Sequence, residues 1–111
     1  MLTERFEELH KAWCKDALEL SVRKGHDYST GASEAGQEDT LKNLKMVEIL
    51  SDGKVSAEIG VLVRMTDKLS RMWQLVFDDA KVKDESVSDT EIDLVNYTLL
   101  KRALRVEKKD Q

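Results

Sequence analysis

The sequence predicts an all-α protein, a compact bundle of about four helices in a single domain over residues 1–111. Three features carry this prediction: charged residues make up 36% of the chain, aromatic residues make up only 5%, and proline is absent. Such a composition favours long helices with a solvated face over a β-sandwich or barrel. Because a chain of this size has limited core of its own, we expect it to be completed as a homodimer.

The first helix is indicated by apolar residues at every third or fourth position, with Thr3 as its N-cap and Glu4 in its first turn. The periodic apolar residues are Leu2, Phe6, Leu9, Trp13, Ala17 and Leu20. We expect this helix to end near Arg23. Residues 24–38 are mainly small and polar, contain three glycines and keep no period, which predicts a long loop. Loops of this length are more often functional than mere connections.

Two further helices are predicted in the middle of the chain. Asp39 can cap a short second helix, and the sequence Ser-Asp-Gly at 51–53 predicts the turn after it. Ser56 is expected to open the third helix, which we predict to be the longest element. The inward-facing positions are Leu41, Leu44, Val47 and Leu50 in the second helix, and Ile59, Leu62, Val63, Thr66, Leu69, Trp73 and Val76 in the third. Trp13 and Trp73 are both expected in the core.

The fourth helix is predicted from residue 86 or 88 to about residue 106. Ser88 and Glu91 have the spacing of a capping box, and Ser86 is an equally acceptable N-cap half a turn earlier. A buried apolar stripe is expected along it, formed by Ile92, Val95, Leu99, Ala103 and Val106. The tail after this stripe is expected to fray.

Three carboxylates at four-residue steps are the most informative feature of the fourth helix. Glu85, Asp89 and Asp93 share one helix face. Carboxylate oxygens are the ligands that Mg²⁺ prefers, so the stripe predicts a magnesium site that leaves room for water or phosphate. A second interpretation stays open, because the helix macrodipole alone favours acids in a first turn.

A basic face is predicted on the third helix. Arg64, Asp67, Lys68 and Arg71 are three or four positions apart and therefore lie together. Arginine forks and a lysine ammonium are suited to phosphate oxygens. The same residues can instead form ion pairs with the acids of the fourth helix, and the two roles are compatible.

Several classes of function are disfavoured by composition. The net charge is −4 and the basic residues are scattered among acids, so we expect no binding of duplex nucleic acid. No apolar stretch resembles a signal peptide or a membrane span, and the lone Cys14 can form no intramolecular disulfide. We therefore expect a cytoplasmic protein without a membrane partner. His10 and Cys14 lie one helical turn apart but are too few for a zinc site.

Read in order, four segments resemble the nucleotide modification associated domain 1 family, a small helical domain of bacteriophages and bacteria. They span most of the chain, and the last two carry the specific motifs Arg-x-x-Asp-Lys-x-x-Arg and Asp-Glu-Ser-x-x-Asp-Thr-x-x-Asp-x-x-Asn-Tyr. The segments are residues 24–29 (Lys-Gly-His-Asp-Tyr-Ser), 41–44 (Leu-Lys-Asn-Leu), 63–71 and 84–97. The resemblance implies a role in the metabolism of modified nucleotides, in the cytoplasm of a bacterial host if the protein is phage-encoded.

A looser resemblance links the chain to the MazG-like all-α nucleoside triphosphate pyrophosphatases, whose Glu-x-x-Glu and Glu-x-x-Asp helices hold magnesium against substrate phosphates. Asp93 to Tyr97 is similar to the end of their second motif. The chain departs from the pattern at Thr90, where an acid is expected, and has no Glu-x-x-Glu pair on the third helix. Magnesium would therefore depend on the three acids of the fourth helix.

These observations define a candidate nucleotide site. Residues of the 24–38 loop can close over a nucleotide, Tyr28 or Trp73 can stack on its base, and Asn43 can read the edge of the base. The full set of candidate nucleotide contacts is Lys24, His26, Asp27, Tyr28, Asn43, Arg64, Asp67, Lys68, Arg71 and Asn96. We expect a magnesium-dependent protein that binds or hydrolyses a nucleotide, with metal-activated water attacking a phosphoanhydride. The alternative is a non-catalytic nucleotide-binding or accessory protein that docks on a nucleotide-modifying enzyme.

Overall fold

The computed structural model describes the backbone of residues 1–28, 40–77 and 84–110 and the side chains of residues 1–24, 40–77 and 87–110. This part of the chain forms four helices and no strand, which confirms the all-α prediction. The helices are α1 (Thr3–Tyr28), α2 (Met46–Leu50), α3 (Ala57–Phe77) and α4 (Asp84–Lys109).

The α4 helix is central, because both α1 and α3 pack against it while α2 packs on α3. Two ion pairs show that α3 and α4 are antiparallel. Glu58, near the start of α3, contacts Arg105 near the end of α4, and Lys68, further along α3, contacts Asp93. The molecule is elongated, with principal extents of 45 × 28 × 26 Å.

The buried core lies where α3 and α4 meet the segment before α2. Leu41 and Leu44 come from that segment, and they pack with residues of α3 and α4. The other buried members are Ala57, Val61 and Leu104, with Met65, Tyr97 and Leu100 packed against them. Burying these side chains drives the folding of the bundle, at about 25 cal/mol per Å² of apolar surface.

The start of α3 is capped from two sides. The hydroxyl of Ser56 accepts a hydrogen bond from the backbone N–H of Ile59 at 3.2 Å, as an N-cap residue does, so the predicted start of this helix is confirmed. A carboxylate oxygen of Glu48, on α2, accepts a second bond from the N–H of Ala57 at 2.7 Å. Both bonds satisfy N–H groups that the helix leaves without partners, and the bond to Glu48 also ties α2 to α3.

The predicted turn after α2 is also confirmed. Asp52 has φ of 56° and Gly53 has φ of 78°, and the N–H groups of both residues return to carbonyls of α2. The predicted inward face of α2 is only partly right. Leu41 and Leu44 are buried, but Leu50 is 80% exposed, because the chain before Met46 forms turns and the helix itself is only five residues long.

The lengths of the outer helices differ from the prediction. Helix α1 continues through Gly25 to Tyr28, since one glycine in a helix costs only about 1 kcal/mol. Helix α4 begins at Asp84, before both predicted N-cap serines, and extends to Lys109. Both have 26 residues against 21 in α3, so α3 is not the longest element. None of the described helices is long and apolar enough to cross a membrane.

The predicted apolar stripes are the least accurate part of the prediction. The large apolar residues on the predicted inward face of α3 are 39–72% exposed, and Val95, Leu99 and Val106 of α4 are about half exposed. Trp13 and Trp73 are 50% and 71% exposed, so neither is a core residue. Small residues such as Ala17 and Ala57 mark the faces that are buried within the chain, because they allow helices to approach closely.

Candidate functional site

Asp93 joins three helices through two lysines. One carboxylate oxygen accepts a hydrogen bond from the ammonium of Lys24, on α1, at 2.6 Å, and the other accepts one from Lys68, on α3, at 2.9 Å. The side chain of Asp93 is 14% exposed, against 37% for Lys24 and 29% for Lys68. We call these three residues the Asp93 cluster. The predicted meeting of the acidic and basic helix faces is therefore present at this point.

The electrostatics of the Asp93 cluster favour an ionised carboxylate. Partial burial raises the pKa of Asp93, whereas the hydrogen bonds and charges of Lys24 and Lys68 lower it more, so its pKa lies below the usual value of 3.8. The cluster carries two positive charges and one negative charge at neutral pH. It is a charge-assisted network in which both carboxylate oxygens already have partners.

The cavity beside the Asp93 cluster is small. It is lined in part by Ser21, Thr40 and Asn96 and has a volume of about 20 Å³. One water molecule needs at least about 10–15 Å³, so the space suits a single water and is too small for a phosphate group. The amide of Asn96 donates to the backbone carbonyl of Ala17 at 3.0 Å, which ties α4 to α1. In this arrangement Asn96 and the Asp93 cluster hold the helices together.

The predicted magnesium ligands do not form a metal site within the described residues. Asp89 is exposed, Asp93 is bonded to two lysines, and the side chain of Glu85 lies outside the described part. No group of three histidine, cysteine, aspartate or glutamate side chains there is placed to hold a metal ion. Thr90, at the position where the pyrophosphatases are expected to have an acid, is 3% exposed, so a carboxylate there would lose its hydration.

The basic face of α3 is only partly used in ion pairs. Lys68 contacts Asp93, whereas Arg64, Asp67 and Arg71 are exposed and form no ion pair with any residue whose side chain is described. Among the described side chains, the predicted network between this face and α4 is thus limited to one lysine. Arg64 and Arg71 keep their guanidinium groups available to an anion.

A larger cavity lies between α2 and α3, and we call it the α2–α3 cavity. Its volume is about 700 Å³, and two residues predicted to contact nucleotide, Asn43 and Arg64, both line it. The remaining walls are mostly apolar and consist of Leu44, Met46, Val47, Leu50, Ser51, Val55, Gly60, Val61 and Val63. A cavity with apolar walls and a few polar groups is the usual form of a small-molecule site.

Gly60 shapes this cavity. A Cβ atom at position 60 would lie 3.0 Å from the Cγ1 atom of Val47, so glycine allows α2 and α3 to approach each other here. Neither Gly60 nor Val47 is among the predicted site residues. Gly60 in a helical pattern is a sequence signal of close packing, but that signal does not say which element comes close.

Three predicted contacts lie outside the described part of the chain. The side chains of His26, Asp27 and Tyr28 lie outside the described part, as do residues 29–38 of the predicted loop. The backbone of residues 24–28 belongs to α1, so the start of that loop is corrected to residue 29 or later. Trp73, the other candidate for base stacking, lies on the exposed face of α3 and does not line the α2–α3 cavity.

Comparison with known proteins gives no match for this chain. No family model, no curated protein and no solved structure is similar to it at the level of significance required. The resemblance to the nucleotide modification associated domain 1 family therefore stays a prediction, carried by the four segments quoted above.

Proposed function

We propose that the protein binds a nucleotide in the α2–α3 cavity, with Asn43 at the base and Arg64 at the phosphates. The observation that carries this proposal is that these two residues, distant in sequence, line one cavity. A side-chain amide can both donate to and accept from the edge of a base. A guanidinium offers five donors in a planar fork that matches phosphate oxygens.

The size and walls of the cavity support the same ligand class. Small-molecule sites typically measure about 300–1,000 Å³, and the α2–α3 cavity, at about 700 Å³, lies within this range. Its apolar walls include Leu44 and Val61, which are buried. Such walls suit the faces of a base, while exposed Arg64 leaves a charged phosphate chain in contact with water.

A second cationic group extends the phosphate side of the site. Arg71 is seven residues after Arg64 and shares its face of α3, about 10 Å further along the helix. Lys68 lies between them but is already engaged by Asp93. Arg64 and Arg71 thus supply the guanidinium groups that phosphates of a nucleotide would contact.

Binding without turnover is the version that the described residues support better. Both oxygens of Asp93 accept hydrogen bonds from lysines, so this carboxylate is engaged in holding the helices together. A more specific hypothesis than binding is a magnesium-dependent reaction in modified-nucleotide metabolism. That reaction would require Glu85 and Asp89 as metal ligands. A non-catalytic protein that docks on a nucleotide-modifying enzyme is the competing one.

Isothermal titration with deoxynucleoside triphosphates tests the binding proposal. Replacing Arg64 by alanine should weaken binding at least about tenfold, because a hydrogen bond to a charged group contributes about 1.5–3 kcal/mol. Arg102→Ala is the matched control, since Arg102 is an exposed arginine on α4 that does not line the cavity. Absence of binding by the wild-type protein, or equal losses in the two variants, would contradict the proposal.

The same titration with and without magnesium, followed by product analysis, separates the two versions. If the protein hydrolyses nucleotides with magnesium, Asp89→Asn should abolish turnover and Glu91→Gln, an exposed acid on the same helix, should preserve it. Binding without any product would favour the non-catalytic version. Turnover that survives Asp89→Asn would exclude the predicted ligand set.

A further inference from the structure

The exposed face of α3 has the pattern of a helix that pairs with another helix. Its apolar residues alternate at spacings of three and four, which are the a and d positions of a heptad repeat. The a positions are Ile59, Thr66 and Trp73, and the d positions are Leu62, Leu69 and Val76. The five large apolar residues of this set are 39–72% exposed. We call the six residues the α3 stripe.

The flanks of the α3 stripe are also largely uncharged. On one side lie Val63, Ser70 and Phe77, and on the other lie Glu58, Met65 and Met72. Glu58 is held by Lys101 and Arg105 of its own chain. Thr66, the polar member of the stripe, donates its hydroxyl proton to the carbonyl of Val63 at 2.6 Å, so it can enter an apolar contact without an unsatisfied donor.

The exposed area matches what a stable dimer needs. Seven side chains, the five large members of the α3 stripe with Val63 and Phe77, are between 39% and 72% exposed. Together they expose several hundred Å² of apolar surface. A standard interface buries about 800 Å² per partner, of which about 60% is apolar, or about 500 Å². For comparison, the largest apolar patch on a typical monomer measures about 300–600 Å².

The rest of the printed chain has little to cover this face. The side chains of residues 25–39, 78–86 and 111 lie outside the described part, and Tyr28 and Val82 are the only large apolar or aromatic residues among them. Ordinary packing against the α3 stripe would require several leucine, isoleucine or aromatic side chains. A second copy of the chain supplies them, because the stripe is present on every copy.

We propose that two copies of the chain pair through α3 in an antiparallel, two-fold symmetric arrangement. In this arrangement each a residue meets a d residue of the other copy. Ile59 then faces the partner's Val76, Leu62 faces the partner's Trp73, and Thr66 faces the partner's Leu69. All three pairs are centred on the same point between residues 67 and 68, so one two-fold axis satisfies the whole stripe. The pairing does not require a bound nucleotide, although Val63, at the edge of the α3 stripe, also lines the α2–α3 cavity.

The oligomeric state of stripe variants tests the proposal. Light scattering after size exclusion should give twice the chain mass of 12.7 kDa for the wild-type protein. Leu69→Glu and Trp73→Glu should each halve that mass and leave the helical circular dichroism unchanged. Leu99→Glu is the matched control, because Leu99 is a helical leucine of α4 with 59% exposure against 52% for Leu69, and this variant should keep the dimeric mass.

A wild-type monomer, or a dimer that survives both stripe substitutions, would overturn the proposal. So would a dimer that Leu99→Glu dissociates, because the contact would then lie on α4. A partner protein of other origin on the α3 stripe would leave the wild-type chain monomeric and would count against the proposal in the same experiment.

Disulfide trapping tests the antiparallel direction. In a Cys14→Ser background, Ile59→Cys and Val76→Cys should cross-link when the two variants are mixed, and neither should cross-link efficiently alone. A parallel pair would instead join Ile59→Cys chains to each other. That result, or equal cross-linking by a control pair at Leu99 and Val106, would contradict the proposed arrangement.

Discussion

Asp93 stabilises the bundle by holding α1 and α3 against α4. Its two lysine partners come from different helices, and its carboxylate is 14% exposed. Glu58 links α3 to α4 in a similar way at the other end of their contact. The hydrogen bond from Arg105, helped by that from Lys101, lowers the pKa of Glu58 despite some desolvation. Each of the two acids thus links α3 to α4 through ion pairs.

Replacing Asp93 by asparagine should lower the free energy of unfolding by about 1–2 kcal/mol at neutral pH, because two half-buried ammonium groups lose their counter-charge. The folded-state pKa of Asp93 lies below its unfolded value of 3.8. Its stabilising contribution is therefore fully present above pH 3.8 and is lost as the pH falls through the folded-state pKa. The difference in the free energy of unfolding between wild type and variant should therefore shrink as the pH falls below 3.8.

Urea denaturation across this pH range measures the effect of Asp93→Asn. Asp89→Asn is the control, since Asp89 lies on the same helix but is exposed. The free energy of unfolding of this variant should stay within about 0.5 kcal/mol of that of the wild type. Equal stability of the two variants at neutral pH would contradict the structural role of the Asp93 cluster. If the stability difference between wild type and Asp93→Asn grew as the pH falls, the lowered pKa of Asp93 would be contradicted.

At the scale of the elements, the end of α2 shows how a short helix is terminated. The N–H of Gly53 bonds to the carbonyl of Glu48 at 2.8 Å, and the N–H of Asp52 bonds to that of Ile49 at 3.2 Å. This pair of bonds is the Schellman motif, in which the residue at the Asp52 position adopts the left-handed conformation. Glycine is favoured there, and aspartate tolerates the position less well.

Asp52→Gly should therefore raise the free energy of unfolding by about 0.5–1 kcal/mol, because glycine adopts a φ of 56° without a Cβ clash. Asp52→Ala keeps the Cβ atom and should give no such gain. Thermal or urea denaturation of the two variants is the measurement. An alanine variant as stable as the glycine variant would contradict the role of backbone strain at this turn.

The helices themselves are largely predictable from the sequence, whereas their orientation is not. Ser56 and the Ser-Asp-Gly turn are local signals, and the structure places a helix start and a helix end at these positions. The rhythm of Ile59, Leu69 and Trp73 correctly indicates a helix with an apolar face. Periodicity cannot tell whether that face is buried within the chain or left for another molecule, and on α3 it is exposed.

The same limit applies to the candidate site. Helical spacing predicts that Lys68 lies on a basic face that can pair with the acids of α4, and Lys68 does reach one of them, Asp93. It could not show that Lys24 would occupy the second oxygen of that carboxylate, since this contact joins residues 69 positions apart. Nor could it place Asn43 and Arg64 in one cavity, because that depends on the approach of Val47 to Gly60.

At the scale of the whole molecule, the chain is an open arrangement of helices with a small core. Its radius of gyration is 16.3 Å, above the value of about 13 Å expected for a compact domain of about 100 residues. The long helices α1 and α3 each pack on α4 and leave apolar residues exposed on their other faces. This shape provides both features on which the proposals rest, the α2–α3 cavity and the α3 stripe.

Nucleotide binding in the α2–α3 cavity would be located by a magnetic resonance titration of isotope-labelled protein with deoxynucleoside triphosphates. We expect the side-chain amide of Asn43 and the backbone amide of Gly60 to shift with saturable dependence on nucleotide, since both residues line the cavity. The side-chain amide of Asn96, bonded to Ala17, should stay in place. Shifts centred on Asn96 with none at Asn43 and Gly60, or no shift at any concentration, would contradict the proposed site.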